Sequence, residues 1–429
     1  MHNQRLDDLA RTIVDHRYKG LPLGTSTPLA ELGKQGWNVA RGDLALPVTT
    51  LRADAVDHNI DAMAVYCARH GVLLAPHGKT TMAPQLFQRQ LAAGAWGMTA
   101  ATPSQVAIMR DFGVPRILLA NELVDATALR WVARELGSDP SFEFLCLVDD
   151  PSSVAVMDDA LDDAGGTRRL GVLVEAGIAG GRSGVRSDDE ALAVAEAVAA
   201  SRHLALAGVE TYEGPAARGP DGRDLTAIDA LLDWVRRLVV TFARRDLFAV
   251  PTITVTAGGS AYFDRVVAVL SDWGEVAAPV RVMLRSGCYL SHDAGKYHRL
   301  SPLDGRRDTG EPLRLQDALE AWATVLSQPE PGLAILGTGK RDIPYDVDLP
   351  TPLRAHRRDG SVADLHGHAR VTKVMDQHAF LTLDPQVRLA PGDIVAMALS
   401  HPCTAFDKMR LIPLVDDEHN VTDGVLTFF

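Results

Sequence analysis

Long apolar runs are the most obvious absence from this sequence of 429 residues. No stretch is long enough to span a bilayer, and the polar start Met1-His2-Asn3-Gln4-Arg5 does not have the pattern of a signal peptide. Cysteine is scarce too, because only Cys67, Cys146, Cys288 and Cys403 occur, widely spaced. Such cysteines build no disulfide framework, so the sequence predicts a cytoplasmic protein in a reducing compartment.

Positive charge is also in deficit. The chain has 43 lysines and arginines against 55 aspartates and glutamates, which gives a net charge of −12. An acidic surface repels phosphate backbones and anionic lipids, so neither nucleic acid nor a membrane is expected as a partner. Hydrophobic residues make up 46% and charged residues 23%, as in a globular protein. The length predicts one large and one smaller domain.

Short apolar runs typical of buried strands alternate with segments of helical spacing, such as Asp188–Ala200 and Leu225–Arg245. The predicted strands are Val72–Ala75, Trp96–Ala100, Ile117–Ala120, Phe142–Val148, Leu170–Glu175, Leu206–Glu210, Ile253–Ala257 and Val282–Leu284. Strands and helices that alternate over roughly 220 residues predict a TIM (β/α)8 barrel, which is an α/β fold. A doubly wound parallel sheet has the same local pattern and is the alternative architecture.

The alternation stops after about Ser291, and shorter strands follow without helices between them. These predicted strands are Ala321–Leu326, Leu333–Leu336, Ala369–Val374, Ala379–Leu383 and Ile394–Ala398. We therefore predict a barrel domain over residues 41–295 and a C-terminal, mostly-β domain over residues 296–429. A strand at Leu46–Leu51 opens the barrel domain. Residues 1–40 have a weak pattern, and we expect this extension to pack on the β-domain.

One lysine stands out because of its position in the alternation. Lys79 lies in the segment Ala75-Pro76-His77-Gly78-Lys79-Thr80-Thr81, which follows the first predicted barrel strand. Taken alone, the segment fits a solvated lysine in a turn between a strand and a helix. A lysine desolvated at a strand end has a lowered pKa and a free lone pair, which is what Schiff-base chemistry requires.

Glycine-bearing loops accompany Lys79 at the carboxyl ends of the predicted strands, where TIM barrels build their sites. The loops after the seventh and eighth strands contain Gly258, Gly259, Ser260, Gly287, Cys288 and Tyr289. Phosphates favour these two loops in TIM barrels, and glycine lets backbone N–H groups approach an anion closely. Each loop alone fits a simple turn. Because both loops are predicted at the same end of the barrel as Lys79, together they suggest a binding site for pyridoxal 5′-phosphate (PLP).

Three other side chains are candidates for contacts with PLP. Arg182 follows the fifth strand in a glycine-rich loop and could bind the phenolic oxygen, although a surface arginine is an equal alternative. Tyr212 follows the sixth strand and could contact the ring, with the same alternative. His77 is expected to pack beside the cofactor rather than to act as a base.

The motifs resemble the D-serine dehydratase/D-threonine aldolase family of fold-type III PLP enzymes, whose barrel is related to that of alanine racemase. The resemblance covers nearly the whole chain after residue 41. The motifs that carry it are Pro76-His77-Gly78-Lys79-Thr80, Arg182-Ser183-Gly184, Gly258-Gly259-Ser260, Gly287-Cys288-Tyr289, Asp376-Gln377-His378 and Ser400-His401-Pro402-Cys403. The resemblance implies a C-terminal β-domain, a homodimer and PLP bound to Lys79.

The resemblance also implies a divalent metal held by a His-x-Cys pair, here His401 and Cys403. Residues two apart on a strand point to one face, so a strand would let both side chains bind one ion. Imidazole plus thiolate suits Zn²⁺, with Mn²⁺ or another divalent metal as alternatives. Thr81 stands where many dehydratases of the family have histidine, so the side-chain specificity stays open.

The implied activity is PLP- and metal-dependent elimination of water from a D-3-hydroxy amino acid of the D-serine or D-threonine type. Its products are a 2-oxo acid and ammonia. Retro-aldol cleavage to glycine and an aldehyde, as by D-threonine aldolases, is the alternative. Family aldolases tend to carry His-x-Asp, so Cys403 favours the dehydratase. A PLP-binding protein without enzymatic activity is a third hypothesis, and the metal pair argues against it.

Overall fold

The computed structural model describes residues 4–162, 168–218, 224–306 and 310–429. Its N-terminal elements are α1 (Gln4–Ala10), β1 (Ile13–Asp15), β2 (Ser26–Pro28) and β3 (Val48–Arg52). Within the described residues, the helices fall short of the combined length and apolarity that a membrane crossing requires.

A parallel barrel follows these elements. Its strands are β4 (Leu73–Leu74), β5 (Met98–Ala100), β6 (Arg116–Glu122), β7 (Glu143–Val148), β8 (Leu170–Ala176), β9 (Leu204–Thr211), β10 (Ile253–Ala257) and β11 (Val280–Leu284). Its helices are α2 (Ala53–His70), α3 (Pro84–Ala92), α4 (Pro103–Asp111), α5 (Ala126–Ser138), α6 (Pro151–Asp162), α7 (Asp188–Ala200), α8 (Thr226–Arg244) and α9 (Phe263–Leu270).

Parallel pairing joins β5 to β11 in chain order, and β11 pairs with β4. Backbone hydrogen bonds from Trp96 N to Leu74 O (2.7 Å) and from Thr99 N to Pro76 O (2.8 Å) close the ring between β4 and β5. A doubly wound sheet keeps two open edges, whereas this sheet returns to its first strand. The TIM-barrel prediction is confirmed.

The strand pattern arises because both faces of each barrel strand are buried. On β8, Leu173 packs in one core with Leu147 and Met283, whereas Val172 and Val174 pack in a second core with the surrounding helices. Two buried faces produce near-continuous apolar runs, which is why these strands were predictable. Helix α7 has the predicted bounds. It begins at Asp188 because Ser187 caps its first turn by accepting a hydrogen bond from Glu190 N.

A mostly antiparallel sheet forms the second unit. Its strands are β12 (Leu319–Glu330), β13 (Leu333–Leu336), β14 (Thr351–His356), β15 (Val362–Asp364), β16 (Ala369–Val374), β17 (Ala379–Leu383), β18 (Ile394–Ala398), β19 (Leu411–Val415) and β20 (Val421–Leu426). The short helices α10 (Lys296–Leu300) and α11 (Pro402–Phe406) accompany them. The prediction of a mostly-β second domain is confirmed.

Strand β3 belongs to this second sheet and not to the barrel. It pairs antiparallel with β12 and parallel with β19, although the predicted boundary at residue 41 places it in the barrel domain. The reason is long-range pairing, which a local pattern does not encode. The N-terminal extension packs nearby, because Leu21, Leu32 and Val39 share a core with Trp322.

The second unit also reaches the carboxyl ends of the barrel strands. Ala294 N donates to Leu399 O at 3.0 Å, and His401 N donates to Asp293 Oδ2 at 3.1 Å. Helix α11 packs against the turn that contains Lys79. The second unit therefore contributes side chains to the barrel mouth.

Candidate active site

Lys79 lies in a single 3-10 turn, Gly78–Thr80, which a short segment connects to the first barrel strand. The preceding backbone is tied to the last strand by the hydrogen bond from Ala75 N to Leu284 O (2.8 Å). Gly78 has no room for a larger residue, since a Cβ there would lie 2.4 Å from Met109 Cε. The barrel thus fixes the turn and presents Lys79 at its mouth.

A cavity of about 280 Å³ opens beside this turn. The residues predicted from the sequence that line it are His77, Lys79, Arg182, Tyr212, Gly258, Gly259, Ser260, Gly287, Cys288, His401 and Cys403. They come from both structural units and from positions more than three hundred residues apart in the chain. Residues that are distant in sequence are therefore assembled around one lysine.

Tyr289 is the predicted cofactor contact that the structure does not bring into this cavity. Its hydroxyl accepts a hydrogen bond from Gln90 Nε2 at 2.9 Å, and its ring lines a separate cavity with Cys67. The 3-10 turn Cys288–Leu290 points neighbouring side chains in different directions, so Cys288 faces Lys79 and Tyr289 faces the helices. Tyr289 is therefore not among the residues that line the cavity with Lys79.

Burial sets the protonation of the two basic groups beside the cavity. It lowers the pKa of Lys79 below its usual value of 10.5, and the nearby Arg182 guanidinium acts in the same direction. Burial also holds the pKa of His77 well below 6.5, with Lys79 adding to the effect. Among the described residues, His77 Nδ1 has no hydrogen-bond partner although it is buried. A neutral imidazole with an unused nitrogen is suited to contact a bound molecule.

Arg182 and Tyr212 form one contact pair at the cavity. The Arg182 guanidinium lies 5.1 Å from the centre of the Tyr212 ring, within the range of a cation–π interaction. Arg186 holds the loop by donating to Arg182 O at 2.6 Å and to Ser183 O at 2.8 Å. Burial raises the pKa of Tyr212 to about 12, so its hydroxyl keeps its proton. The pair offers a cation and a hydroxyl donor to a ligand.

The glycine loop after β10 is partly occupied by the protein itself. Gly258 N and Gly259 N donate to the buried Glu213 carboxylate at 3.0 Å and 2.7 Å. These two N–H groups were expected to bind an anion, and here a carboxylate from the chain already takes that place. The Ser260 and Gly287 N–H groups donate to no acceptor in the described part of the chain. We call these two N–H groups the open donors of the two loops, because a bound anion could accept hydrogen bonds from them.

Arg285 is a cavity residue that the sequence reasoning missed. It follows β11, is 6% exposed, and forms an ion pair with the buried Glu210. It also donates to Thr256 Oγ1 at 3.2 Å and to Thr211 O at 3.1 Å. Burial raises the pKa of Glu210 to about 7, although Arg285 opposes the shift. An arginine directly after an apolar run at a strand end was the available signal.

His401 and Cys403 do not lie on a strand, so that part of the prediction is wrong. Strand β18 ends at Ala398, and Pro402 begins helix α11, a position that suits proline. His401 takes a left-handed conformation with φ of 58°. That backbone turn, and not strand alternation, brings its side chain to Cys403, with which it shares a hydrogen bond.

Asp346, which was not predicted, orients this pair. His401 Nδ1 lies 2.5 Å from Asp346 Oδ2, and Thr404 Oγ1 donates to Asp346 Oδ1 at 2.9 Å. The hydrogen bond with Cys403, together with Asp346, raises the pKa of His401 above 6.5. A carboxylate on one ring nitrogen leaves the other nitrogen for a metal, as in many metal sites.

Two thiols and a hydroxyl meet at the cavity wall. Cys403 Sγ lies 3.7 Å from Cys288 Sγ and 3.5 Å from Thr80 Oγ1. Hydrogen bonds, that with Cys288 first, hold the pKa of Cys403 well below 9.0. Tyr297, another cavity residue that was not predicted, hydrogen bonds with Cys288. Tyr297 lies in the short helix α10, for which the sequence carried no signal.

Another cluster of metal-type ligands lies in the same loop region. The ligand atoms of His292, His298 and Asp304 lie within 4.8 Å of one another. Both rings already hydrogen bond to Asp304 Oδ2, at 2.7 Å and 2.8 Å. His378, from the motif Asp376-Gln377-His378, is exposed and does not line the cavity with Lys79.

The cavity fits a phosphorylated aldehyde and a divalent cation. Lys79 supplies an amine with a lowered pKa, His77 an unpaired nitrogen, and Ser260 and Gly287 open N–H donors. His401 and Cys403 supply a nitrogen and a sulfur, the donor set that zinc favours. The residues that could hold a cofactor and those that could hold a metal therefore share one cavity.

Comparisons with known proteins agree with this architecture. Residues 51–300 match the family "Alanine racemase, N-terminal domain", and residues 318–415 match the "Putative serine dehydratase domain". The 3-hydroxy-D-aspartate aldolase of Paracoccus denitrificans (strain Pd 1222) is 27% identical over 82% of this chain and 85% of its own. The D-threonine aldolase of an Arthrobacter species is 25% identical over 89% of this chain and 88% of its own.

Solved structures share the fold. The D-threonine aldolase from Filomicrobium marinum superposes with a TM-score of 0.74 at 25% identity, over 91% of this chain and 97% of its own. The D-threo-3-hydroxyaspartate dehydratase from Delftia sp. HT23 has a TM-score of 0.68 at 20% identity, over 91% of this chain and 99% of its own. Both the barrel and the second unit are thus covered by known folds.

Proposed function

Because the chain belongs to the alanine racemase N-terminal domain family, we propose that it is a PLP- and divalent-metal-dependent lyase acting on D-3-hydroxy amino acids. Its preferred reaction is elimination of water, with a 2-oxo acid and ammonia as products. The observation that carries the proposal is the shared cavity: the amine of Lys79 faces the same space as the His401/Cys403 pair. A lysine and a metal pair in one cavity can act on neighbouring atoms of one small substrate.

Lys79 is the proposed attachment point of PLP, with the open N–H groups of Ser260 and Gly287 as donors to its phosphate. Arg182 and Tyr212 flank the remaining wall of the cavity. PLP supplies an electron sink for the electron pair left on an amino-acid Cα. The protein's part is to bind the cofactor, orient it and exclude water.

Lys79 is also the proposed base for the α-proton. A general base works best when its pKa lies near the operating pH, and burial moves the pKa of Lys79 downward from 10.5. The positive charge of the nearby Arg182 disfavours protonation of the Lys79 amine. The neutral amine is therefore available to take a proton.

His401 and Cys403 are the proposed ligands of the metal. Zinc is preferred because its ligands in proteins are mostly imidazole nitrogen and thiolate sulfur, with Mn²⁺ or another divalent cation as alternatives. Bound there, a divalent cation would polarise a substrate hydroxyl as a Lewis acid. Asp346 orients His401, and Asp293 Oδ2 accepts a hydrogen bond from His401 N at 3.1 Å.

The second candidate is retro-aldol cleavage to glycine and an aldehyde. It is favoured by the sequence relatives from Paracoccus denitrificans and from an Arthrobacter species, since both are aldolases. Elimination is favoured by the thiolate ligand Cys403 and by the match of residues 318–415 to the serine dehydratase domain. Both reactions need the same lysine, cofactor and metal, so only products separate them. Homodimer formation stays a prediction.

A product assay tests the proposal. The holoenzyme is incubated with D-serine, D-threonine and D-threo-3-hydroxyaspartate, with the L-isomers as controls, and every product is identified. We expect a 2-oxo acid and ammonia from D-isomers only, loss of activity in EDTA, and recovery with Zn²⁺. Glycine plus an aldehyde as sole products would contradict elimination. A PLP adduct without turnover of any substrate would contradict the lyase and support a non-enzymatic PLP-binding protein.

A further inference from the structure

The sulfur of Cys288 lies unusually close to the proposed metal pair. Cys288 comes from the loop after barrel strand β11, whereas Cys403 comes from helix α11 of the second unit. Their Sγ atoms are 3.7 Å apart, and Thr80 Oγ1 lies 3.9 Å from Cys288 Sγ. Both sulfurs line the cavity that contains Lys79 and His401. They therefore face polar groups and not an apolar core.

The backbone holds Cys288 firmly in this position. Cys288 N donates to Ser260 Oγ at 3.1 Å, which ties its loop to the loop after β10. Gly287 allows the approach, because a Cβ there would lie 2.6 Å from His77 O and 2.7 Å from Thr80 Oγ1. The sulfur of Cys288 is placed by the barrel, independently of the segment that places His401 and Cys403.

We infer that Cys288 is a third protein ligand of the active-site divalent cation, together with His401 and Cys403. This inference rests on the proposed function. Zinc binds thiolate at about 2.3 Å in tetrahedral geometry, which places two sulfurs on one ion about 3.8 Å apart. The observed 3.7 Å satisfies that requirement without movement of either cysteine.

The number of ligands supports the same assignment. Catalytic zinc sites have three protein ligands and keep the fourth position open for water or substrate. His401 and Cys403 alone fall one ligand short of that number, and Cys288 supplies it from the facing wall. Residues of both the barrel and the second unit would then hold the cation.

Cobalt spectroscopy of the holoenzyme tests the ligand set. Cobalt-loaded and zinc-loaded samples are compared as difference spectra, which cancel the absorption of PLP, and the thiolate-to-cobalt charge-transfer intensity is measured. Cys288→Ser and Cys403→Ser are each expected to lose roughly half of this intensity, because each removes one of two thiolates. Cys67→Ser is the matched control, since Cys67 lies in helix α2 and does not line this cavity. It is expected to keep the full intensity.

Zinc affinity gives a second measurement that does not depend on turnover. Competition with a chelator is expected to show a loss of about 100-fold or more for Cys288→Ser, above the 10–100-fold typical of residues that only orient a ligand. The PLP absorption of each variant reports whether its active site is folded. Serine keeps nearly the size of cysteine, so the barrel is expected to tolerate it.

Several outcomes would overturn the assignment of Cys288. One is a Cys288→Ser protein with wild-type zinc affinity and cobalt spectrum, and another is a Cys288–Cys403 disulfide in the wild-type protein under reducing conditions. Full lyase activity in metal-free protein would overturn it too, while leaving the lyase function standing. Conversely, a two-thiolate cobalt spectrum in a protein that turns over no D-3-hydroxy amino acid would overturn the proposed function alone.

Discussion

The barrel mouth has two sides, one that buries basic side chains and one that buries acidic side chains. The lysine side consists of the loops after β4, β9, β10 and β11 and carries Lys79 and Arg285. The carboxylate side consists of the ends of β6 and β8 and carries Glu122 and Glu175. Burial lowers the pKa of Lys79, whereas burial, helped by the neighbouring Glu175, raises the pKa of Glu122 to about 8. Burial thus favours the neutral form of Lys79 on one side and of Glu122 on the other.

The two sides differ in what surrounds the neutralised group. The lysine side has open N–H donors at Ser260 and Gly287 and a cavity for a ligand. On the carboxylate side, Glu122 Oε1 and Glu175 Oε2 are buried without a hydrogen-bond partner in the described ranges. A perturbed pKa alone therefore does not mark a binding site, and convergent donors are needed as well.

Lys79→Ala is the strongest test of the lysine side. It removes both the attachment point and the proposed base, so the catalytic rate is expected to fall by about 10⁴-fold or more. Borohydride reduction of the wild-type holoenzyme, followed by peptide mass spectrometry, is expected to place the PLP adduct on Lys79. Lys296, an exposed lysine at the rim of the same cavity, is the matched control, and Lys296→Ala is expected to keep the adduct. An adduct retained in Lys79→Ala would contradict the assignment.

Gly287→Ala is expected to have the next largest effect. The new Cβ would lie 2.6 Å from His77 O, which is backbone and cannot swing away, so the loop must shift. Overpacking of this kind costs about 1–3 kcal/mol of folding stability, and because the shift moves the Gly287 N–H group away from its place in the cavity, PLP affinity is expected to fall by roughly tenfold. Titration of PLP-free protein by absorbance measures the loss.

Gly137→Ala is the matched control for that variant. Gly137 lies near the end of helix α5, and among the described residues no atom within 4 Å would meet a Cβ there. Alanine in a helix is more stable than glycine by about 0.5–1 kcal/mol, so PLP affinity is expected to stay unchanged while the melting temperature stays or rises slightly. Equal PLP affinity in both variants would show that the lysine side tolerates a shift of the loop after β11.

The barrel was predictable because its signals are local. Apolar runs such as that of β8 and caps such as Ser187 act over a few residues, so strand positions and the bounds of α7 followed from pattern alone. Counting strands then placed Lys79 and the loops after β10 and β11 at one end of the barrel. Strands of the second sheet such as β14 and β19 are not predicted from the sequence, since their pairing is set by distant partners.

The site was predictable in its residue types and not in its backbone. The sequence indicates His401 and Cys403 as a pair, but the left-handed His401 and the helix that starts at Pro402 depend on contacts with Asp293 and Asp346. The occupation of Gly258 N and Gly259 N by Glu213 is likewise a contact across the fold. Spacing indicates which side chains can meet. It does not show which donors the protein has already used.

Glu122→Gln tests the carboxylate side and has the smallest expected effect. The pKa of Glu122 is about 8 in the folded chain and near 4.5 when unfolded, so between these values the folded state binds more protons. Its contribution to stability is fully present below about pH 4.5 and is lost as the pH rises toward 8. Glutamine stays neutral at every pH. The variant is therefore expected to melt roughly 1–3 °C above the wild type at pH 8 and close to it at pH 5.

Calorimetry of three proteins at both pH values separates this effect from a general change in charge. Glu330→Gln removes one carboxylate from an exposed position at the end of β12 and is expected to follow the wild type at both pH values. If Glu122→Gln also followed the wild type, Glu122 would be ionised in the folded protein, and the carboxylate side would carry negative charge at neutral pH.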